Sequence, residues 1–499
     1  MAFVQIGGTG SSGLFGPCSS VYMVGIKGTG VCALAELLQR AGMNVTGSDV
    51  PEVFYTDAIL KELGIPFTEG FDGSRITDGI DLVVHSAAYT SQNNEELAEA
   101  GRKAIPTASY PEALGAYSAC FDSSGIAGVH GKTGTTAMCG TLVQALGLPA
   151  QVLAGSAVSA FNGRSTLSLG DKYFIAETCE YRRHFMAFHP GHIVLTSVES
   201  DHQDFFPDYK SIHDAFVEYC RLIPPGGQLI YCADDPGACS VAGVIEKENR
   251  GVTLVPYGFC AGGDYGITSY TVRDGEAAFR VNAFGNEQLI LRIPGRHQAQ
   301  NATAAIALAG ILLKKENGSG WKAESRSAVK EALKNFAGCK RRAEIIGSAG
   351  GIVFMDDYAH HPTAIKTTLE GLRNFFPERR LVVSFMSHTF SRTAALLDGF
   401  AESLCTADVL FLHKIYASAR EKFDGNISGM SIYEKIEKAG GENRIPVLHY
   451  VDEPLDAFGQ LTGILKSGDL FVTLGAGNNW PLGVRLFEHY RDLENGGLP

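Results

Sequence analysis

A lysine set among glycines and threonines is where this sequence offers chemistry most directly. The segment Gly128-Val129-His130-Gly131-Lys132-Thr133-Gly134-Thr135-Thr136 follows an apolar stretch and runs into a helical pattern over residues 137–146. Backbone N–H groups in such a turn can surround phosphate oxygens, and the helix start adds positive potential. Lys132 has the charge and reach for the β- and γ-phosphates of a nucleotide, and Thr133 offers a hydroxyl to Mg²⁺. Only Val129 and His130 separate Gly128 from Gly131, so the loop is shorter than the general pattern G-x-x-x-x-G-K-[ST].

Four further constellations accompany it. Gly25-Ile26-Lys27-Gly28-Thr29-Gly30 follows the apolar VYMV, and Asp49 ends the next strand in GSD. Its glycines run G-x-x-G-x-G, so it reads either as a loop for a nucleotide diphosphate with Asp49 at a ribose, or as a tight strand–helix turn. Glu177 stands at one strand end in AETCEY, and Glu199-Ser200-Asp201-His202 at another. A carboxylate and a His at strand ends near a phosphate loop make a plausible Mg²⁺ site. Arg182, Arg183 and His184 add positive charge there or form a solvated face. Pro294-Gly295-Arg296-His297-Gln298-Ala299-Gln300-Asn301 opens an Ala-rich helix, where His297 and Asn301 either hydrogen-bond a base or cap the helix. The last group lies in the C-terminal third: Arg341-Arg342-Ala343-Glu344, Asp356-Asp357-Tyr358-Ala359-His360-His361-Pro362 and Ser387-His388-Thr389-Phe390-Ser391-Arg392. Arg342 and Arg392 are candidates for phosphate or carboxylate recognition. Neighbouring His side chains point apart, so His360-His361 is not read as a metal pair.

These motifs sit at ends of apolar runs that alternate with helical patterns, which predicts parallel sheets with crossover helices. Strands are expected near residues 21–26, 43–46, 81–85, 125–129, 173–176, 192–196, 352–355, 381–385, 409–412 and 470–474. Residues 278–281 and 288–293 alternate and should pair antiparallel. Helices are expected near 33–38, 58–63, 302–313, 363–375 and 393–404. Asp122-Ser123-Ser124-Gly125 reads as a linker. The chain divides into an N-terminal Gly/Ser-rich extension (1–20) and three α/β domains, 21–119, 120–336 and 337–499.

Composition narrows the function further. The 499 residues carry 42 Lys and Arg against 54 Asp and Glu, a formal charge of −12. That argues against nucleic-acid binding and against a basic membrane-surface protein. Positive groups for an anionic substrate must therefore be local. The longest apolar-rich run, residues 302–313, is too short for a membrane span of roughly 20 residues. No basic residue precedes the weakly apolar start, which makes it a poor secretory signal. Eleven scattered Cys without a CxxC pair suit reduced thiols and a cytoplasmic protein.

Taken in order, VGIKGTG with GSD, AGVHGKTGTT, AETCEY, ESDH, PGRHQAQNA, RRAE, DDYAHHPTAI, SHTFSRT and LGAG resemble the Mur ligase family over nearly the whole chain. The resemblance implies an N-terminal Rossmann-like UDP-binding domain, a central P-loop ATPase domain and a C-terminal Rossmann-like domain. It implies the alanine-adding branch: ATP, Mg²⁺, UDP-N-acetylmuramate and L-alanine as partners, through an acyl phosphate, in a monomer or homodimer. It assigns Gly128, Gly131, Lys132, Thr133, Gly134, Thr135, His297, Asn301, Arg342 and Asp357 to ATP. Thr133, Glu177 and His202 go to metal, with Lys132, His202 and Arg342 catalytic. Gly25, Gly28, Thr29, Gly30 and Asp49 go to the UDP-sugar, and Tyr358, His360 and Arg392 to the amino acid, Arg392 facing its carboxylate. Lys27 stands where the family has Gly, and would either add a phosphate contact or crowd the turn. The lysine that other branches carry falls here on Phe216, which favours the alanine-adding branch. The rival readings are a ligase joining a whole tripeptide to the same sugar nucleotide, and an NAD-dependent oxidoreductase, which the glycine order opposes.

Overall fold

The computed structural model describes Phe15 and residues 18–417, 426–439 and 445–496. The N-terminal extension therefore lies mostly outside the described residues. Two compact units are present. The first takes the described residues up to Val198, with Ile212–Tyr265 and Ala304–Val329; the second takes Glu199–Ser211, Gly266–Thr303 and the residues from Lys330 onward.

The first unit holds two sheets. One is built from β1 (Ser20–Val24), β2 (Asn44–Asp49), β3 (Phe67–Glu69), β4 (Leu82–His85) and β5 (Thr107–Ser109), in the order β3-β2-β1-β4-β5 and all parallel. The chain winds outward from β1 in one direction, then returns to β4. The crevice at such a reversal, beyond the strands' carboxyl ends, is where open α/β sheets take ligands. The helices α1 (Thr29–Arg40), α2 (Tyr55–Leu63), α3 (Glu95–Arg102) and α4 (Tyr110–Ser118) form the crossovers. Their ends follow local chemistry. Asn94 accepts from Leu97 N–H at the start of α3, Ser109 and Glu112 box the start of α4, and Gly64 ends α2 in the left-handed region.

The other sheet runs β12-β11-β10-β6-β9-β7-β8, from β6 (Asp122–Ala127), β7 (Ala150–Val158), β8 (Arg164–Ser168), β9 (Tyr173–Glu177), β10 (His192–Leu195), β11 (Gln228–Cys232) and β12 (Thr253–Tyr257). Only the β7–β8 pair is antiparallel. The helices α5 (Lys132–Ala145), α6 (Tyr209–Cys220), α7 (Pro236–Glu248) and α8 (Arg296–Asn317) accompany it. One expectation fails here: Asp122–Gly125 is not a linker but the first two-thirds of β6, a central strand between β9 and β10. Small polar composition resembles a linker, but smallness is what the packing requires. Ser123 and Ser124 are buried, and a Cβ on Gly125 would stand 2.2 Å from the Tyr219 hydroxyl.

The second unit contains a small antiparallel sheet of β13 (Ile267–Arg273), β14 (Glu276–Val281) and β15 (Leu289–Leu291), as the alternation at 278–281 predicted. Its larger sheet runs β16-β17-β21-β18-β19-β20, from β16 (Glu344–Ala349), β17 (Ile352–Asp357), β18 (Arg380–Phe385), β19 (Val409–Leu412), β20 (Val447–Tyr450) and β21 (Asp469–Leu474). The edge pair β16–β17 is antiparallel and the rest parallel. Continuous apolar strands such as VLFL are buried on both faces, as a helix-covered parallel sheet demands. Helix α9 (Ala323–Lys334) precedes this sheet; α10 (Pro362–Phe375), α11 (Phe390–Ala395), α12 (Leu397–Leu404), α13 (Gly429–Ala439), α14 (Phe458–Ile464) and α15 (Trp480–Glu494) follow its strands. The helix expected over 393–404 is two pieces, broken at Leu396.

Candidate functional site

In the first unit the candidate site is built where β6, β9 and β10 end side by side. β6 delivers Gly128–Lys132, β9 delivers Glu177, and β10 delivers Thr196 and Ser197. The loop's path depends on glycine at two positions. Gly131 has φ +83°, and Gly128 has φ +136° with space for no Cβ, which would lie 2.1 Å from Thr196 Oγ1. Val129 N–H donates to Ser197 O (3.0 Å) and His130 N–H to Ser197 Oγ (2.8 Å), which ties the loop to β10. Helix α5 then starts at Lys132 with no side-chain cap, leaving its first N–H groups for an anion.

Lys132 is not idle. Its ammonium donates to Gly128 O, to Val129 O at 3.4 Å and to Glu180 Oε2 at 2.8 Å. Burial alone would lower its pKa, but Glu180, reinforced by Cys179 and Glu177, outweighs this and raises it. Glu180 was quoted in the AETCEY motif but given no role, because an acidic residue in a short helical turn has no distinctive spacing. Glu177 accepts from Gly155 N–H at 3.0 Å. Thr133 is buried at the start of α5, and Thr135 is fully buried with its N–H spent on Gly131 O. Arg182 lies over the Tyr181 ring, and Arg183 pairs with Glu218. Phe216 is a core residue packed on Phe185.

The first loop, Gly25–Gly30, crosses the carboxyl end of β1. Asp49 holds it: its carboxylate accepts from Lys27 N–H at 2.6 Å and from Val50 N–H at 2.8 Å, and burial raises its pKa. Lys27 does neither thing expected of it. Its side chain turns inward, pairs with Asp57 at 3.2 Å, and donates to the carbonyls of Val50 and Glu52. The loop keeps its turn because the side chain has a buried home, and the ammonium is spent there. Tyr55 Oη donates to Thr29 Oγ1 at 3.0 Å.

In the second unit, β17 and β18 end beside β21. The two arginines of the RRAE motif divide their duties. Arg341 is structural, donating to Asp356 (3.1 Å) and to the carbonyls of Gly475 and Gly477. Burial pushes Asp356 up to about 6 even with Arg341 beside it. Arg342 has its guanidinium over the Tyr358 ring at 5.0 Å. Asp357 accepts from Ala343 N–H (2.7 Å) and Ala359 N–H (2.8 Å), fixing both approaches to Tyr358. His360 faces the Tyr358 carbonyl at 2.8 Å, and burial with Arg392 nearby holds its pKa well below the ordinary value. Arg392 is buried and already engaged: Nε and Nη2 donate to Asp201 Oδ1 at 2.9 and 2.7 Å, and Nη1 donates to His388 O at 2.7 Å. Burial would raise the Asp201 pKa, but Arg392, with His202 and His360, holds it below the usual carboxylate range. Asp201 and His388 lay in quoted motifs without assigned roles. His202 sits at φ +54° next to Asp201, and Glu199 accepts from Thr363 Oγ1 at 2.9 Å. At the start of α8, Gln298 bridges His297 (3.1 Å) and Asn301 (3.3 Å).

A strand, a Gly-Lys-Thr loop, a helix start and a strand-end carboxylate beside the lysine define a nucleotide-phosphate-handling α/β enzyme. Comparison with known proteins narrows that class. Residues 20–121 match the Mur ligase family catalytic domain, 126–309 the Mur ligase middle domain, and 341–477 the Mur ligase glutamate ligase domain. A UDP-N-acetylmuramate–L-alanine ligase of Treponema pallidum (strain Nichols) is 50% identical over 472 residues, covering 95% of this chain and 97% of its own. The ligase of the same name from Borreliella burgdorferi is 37% identical, covering 94% and 98%. Among solved structures, a UDP-N-acetylmuramate–alanine ligase of Thermotoga maritima matches with TM-score 0.74 at 23% identity, covering 95% of this chain and 99% of that one. A murein peptide ligase of Psychrobacter arcticus matches with TM-score 0.64 at 23% identity over the same shares. The chain belongs to the Mur ligase family.

Proposed function

We propose that the protein is an ATP-dependent UDP-N-acetylmuramate–L-alanine ligase, making a peptidoglycan precursor in the cytoplasm. The observation that carries this reading is 50% identity across 95% of the chain to a ligase of that name. The retained Lys132 and Glu177 at adjoining strand ends support it, and eleven free thiols agree with the compartment. Residues 21–119 then bind the sugar nucleotide, 120–336 bind ATP, and 337–499 complete the site.

In this reading an oxygen of the lactyl carboxylate attacks the γ-phosphorus of ATP, ADP leaves, and an acyl phosphate forms. The amine of L-alanine attacks the acyl carbon, and the tetrahedral intermediate expels phosphate. Such a reaction needs charge neutralisation and alignment more than a nucleophilic side chain. Gly128, Gly131 and Gly134 let the backbone approach the phosphates, and Lys132 neutralises the transferring phosphoryl group. Thr133 and Glu177 offer hard oxygen donors of the kind Mg²⁺ takes, with His202 as a further ligand. Bound there, the ion would neutralise charge on the phosphates. Arg342 lies over Tyr358 and, among the described residues, its guanidinium makes no hydrogen bond, which leaves its donors for ATP phosphates. His297 and Asn301 serve the adenine side and Asp357 the ribose. Tyr358, His360 and Arg392 form the amino-acid pocket. The buried Arg392–Asp201 pair suits an amino acid, since one partner matches a carboxylate and the other an amine. Gly25, Gly28, Thr29 and Gly30, held by Asp49, take the UDP diphosphate.

The test is ADP release by purified protein with ATP, Mg²⁺ and UDP-N-acetylmuramate, comparing L-alanine, glycine, L-serine and the L-Ala-γ-D-Glu-diaminopimelate tripeptide. L-Alanine should give the highest kcat/KM. Turnover with the tripeptide but with no single amino acid overturns the branch assignment.

A further inference from the structure

A cavity in the first unit lies beside the N-terminus of α1 and reaches Glu177 at the end of β9. Gly30, Tyr110, Leu153, Glu177, Cys179 and His184 are among the residues lining it, and its volume is about 140 Å³. One end is the first Gly-rich loop and the other is Glu177, at the end of β9.

Tyr110 is the residue that joins the two. It is the first residue of α4, behind a Ser109–Glu112 capping box that fixes the helix start. Its ring lies directly on α1: a Cβ on Gly30 would stand 2.7 Å from Tyr110 Cζ and 2.8 Å from its Oη. Gly30 thus has no side chain because the phenol occupies that space. Helix α1 has no side-chain cap, so the N–H groups of its first turn, from Thr29 to Val31, have no partner in the helix. Among the described residues, the Tyr110 hydroxyl has no hydrogen-bond partner either, although burial next to Glu177 and Cys179 keeps it firmly protonated. A protonated phenol set beside uncapped helix N–H groups in a cavity adds a side-chain donor to a row of backbone donors, an arrangement that suits a phosphate.

We infer that Tyr110 is a substrate-binding residue whose hydroxyl donates to the sugar-linked phosphate of the nucleotide diphosphate held at the start of α1. This rests on the reading of the Gly25–Gly30 loop as the UDP-sugar site and adds a residue to it. The phosphate then receives the α1 backbone from one side and the phenol from the other. The sugar and its acid arm extend along the cavity toward Glu177, where phosphoryl transfer takes place. Tyr110 acts as the fixed point from which the arm's reach is measured, so its loss should weaken binding of the diphosphate and leave ATP handling unchanged.

Tyr110→Phe keeps the ring on Gly30 and removes only the hydroxyl. Titration calorimetry of wild type and variant with UDP-N-acetylmuramate, UDP and UMP reads the effect. A hydrogen bond to a charged group predicts about tenfold weaker binding of UDP and of the sugar nucleotide. UMP, which lacks the second phosphate, should bind both proteins alike, and the KM for ATP should not move. Equal UDP affinities, or the same loss with UMP, overturn the inference while leaving the ligase reading intact. A wild type that binds neither UDP nor the sugar nucleotide overturns both.

Discussion

Glu180→Gln should make the protein bind ADP more tightly when no divalent metal is present. Lys132 carries three N–H donors. In the structure all three have acceptors: Gly128 O, Val129 O and Glu180, the last at 2.8 Å with both side chains largely withdrawn from water. A phosphate can reach the lysine only by displacing one of them, and the carboxylate is the acceptor whose charge the phosphate duplicates. A hydrogen bond between charged partners is worth about 1.5–3 kcal/mol, against about 0.5–1.5 for one with a neutral partner. Glutamine keeps the shape and one acceptor, so releasing Lys132 becomes easier by about 1–1.5 kcal/mol. That corresponds to a decrease in Kd of about 5- to 12-fold. The assay is titration calorimetry with ADP in chelator, so that loss of a carboxylate near Glu177 cannot act through a metal. Glu180→Asp, which keeps the charge, should not reproduce the gain. Unchanged or weaker ADP binding in a folded Glu180→Gln protein would refute the reasoning. It would mean that Glu180 keeps its hold on Lys132 while nucleotide is bound.

Two further outcomes follow from packing and burial. Gly115 lies in α4 where a Cβ would stand 2.0 Å from the Ala187 carbonyl oxygen; backbone cannot yield as a side-chain tip can, so Gly115→Ala should cost about 2–3 kcal/mol in chemical denaturation, and a cost below half a kcal/mol would show that the helix moves freely. His192 is buried at the start of β10, facing Lys315 at 2.8 Å, and burial with that ammonium pulls its pKa down to about 4. The unfolded chain binds this proton near pH 6.5 and the native state does not, so stability holds above that pH and falls by about 3 kcal/mol toward pH 4. His192→Gln keeps an acceptor for Lys315 and should remove that slope from urea-denaturation curves; identical slopes in both proteins would rule out His192 as its source.

How much of this was legible depended on whether a residue's duty is local. The Gly128–Thr136 loop announces itself because a strand, a tight turn and a helix start are consecutive in sequence, and the structure has them in that order. β6 was partly missed for the opposite reason. Asp122-Ser123-Ser124-Gly125 is polar and small, and only the Tyr219 hydroxyl from α6, far away in sequence, makes smallness a packing demand. Lys27 misled in the same way. Its position in a Gly-rich turn suggested either a phosphate contact or a crowded turn, but Asp57 on α2 draws the side chain inward. Arg341 and Arg342 are indistinguishable as neighbours in a sequence. The fold separates them, because the left-handed Arg341 turns toward Asp356 and Gly475 while Arg342 lies on Tyr358. Glu180, Asp201 and Tyr110 were not found as functional residues, since each matters only through a partner on another strand or helix.

Two of those missed residues, Glu180 and Asp201, share a property that bears on the charge of −12. Lys132 faces Glu180, Arg392 faces Asp201, Lys27 faces Asp57, and Arg341 faces Asp356. Three cations that sequence reasoning considered for anionic ligands, Lys132, Arg392 and Lys27, and Arg341 beside a fourth, are thus neutralised by the protein's own carboxylates. Two of these pairs, those of Lys27 and Arg341, are locked further by backbone carbonyls and hold loops in shape. The other two sit where a phosphate and an amino-acid carboxylate are expected. There a substrate must replace a carboxylate rather than enter a vacant positive site. Exchange of this kind makes net affinity modest, because the cost of separating the first pair is subtracted from the gain of the second. It also favours ligands that satisfy the displaced carboxylate as well as the cation, as an amino acid with both groups does for Arg392 and Asp201. Selectivity then comes from matching a pair, and an acidic protein can bind polyanions without a positive surface.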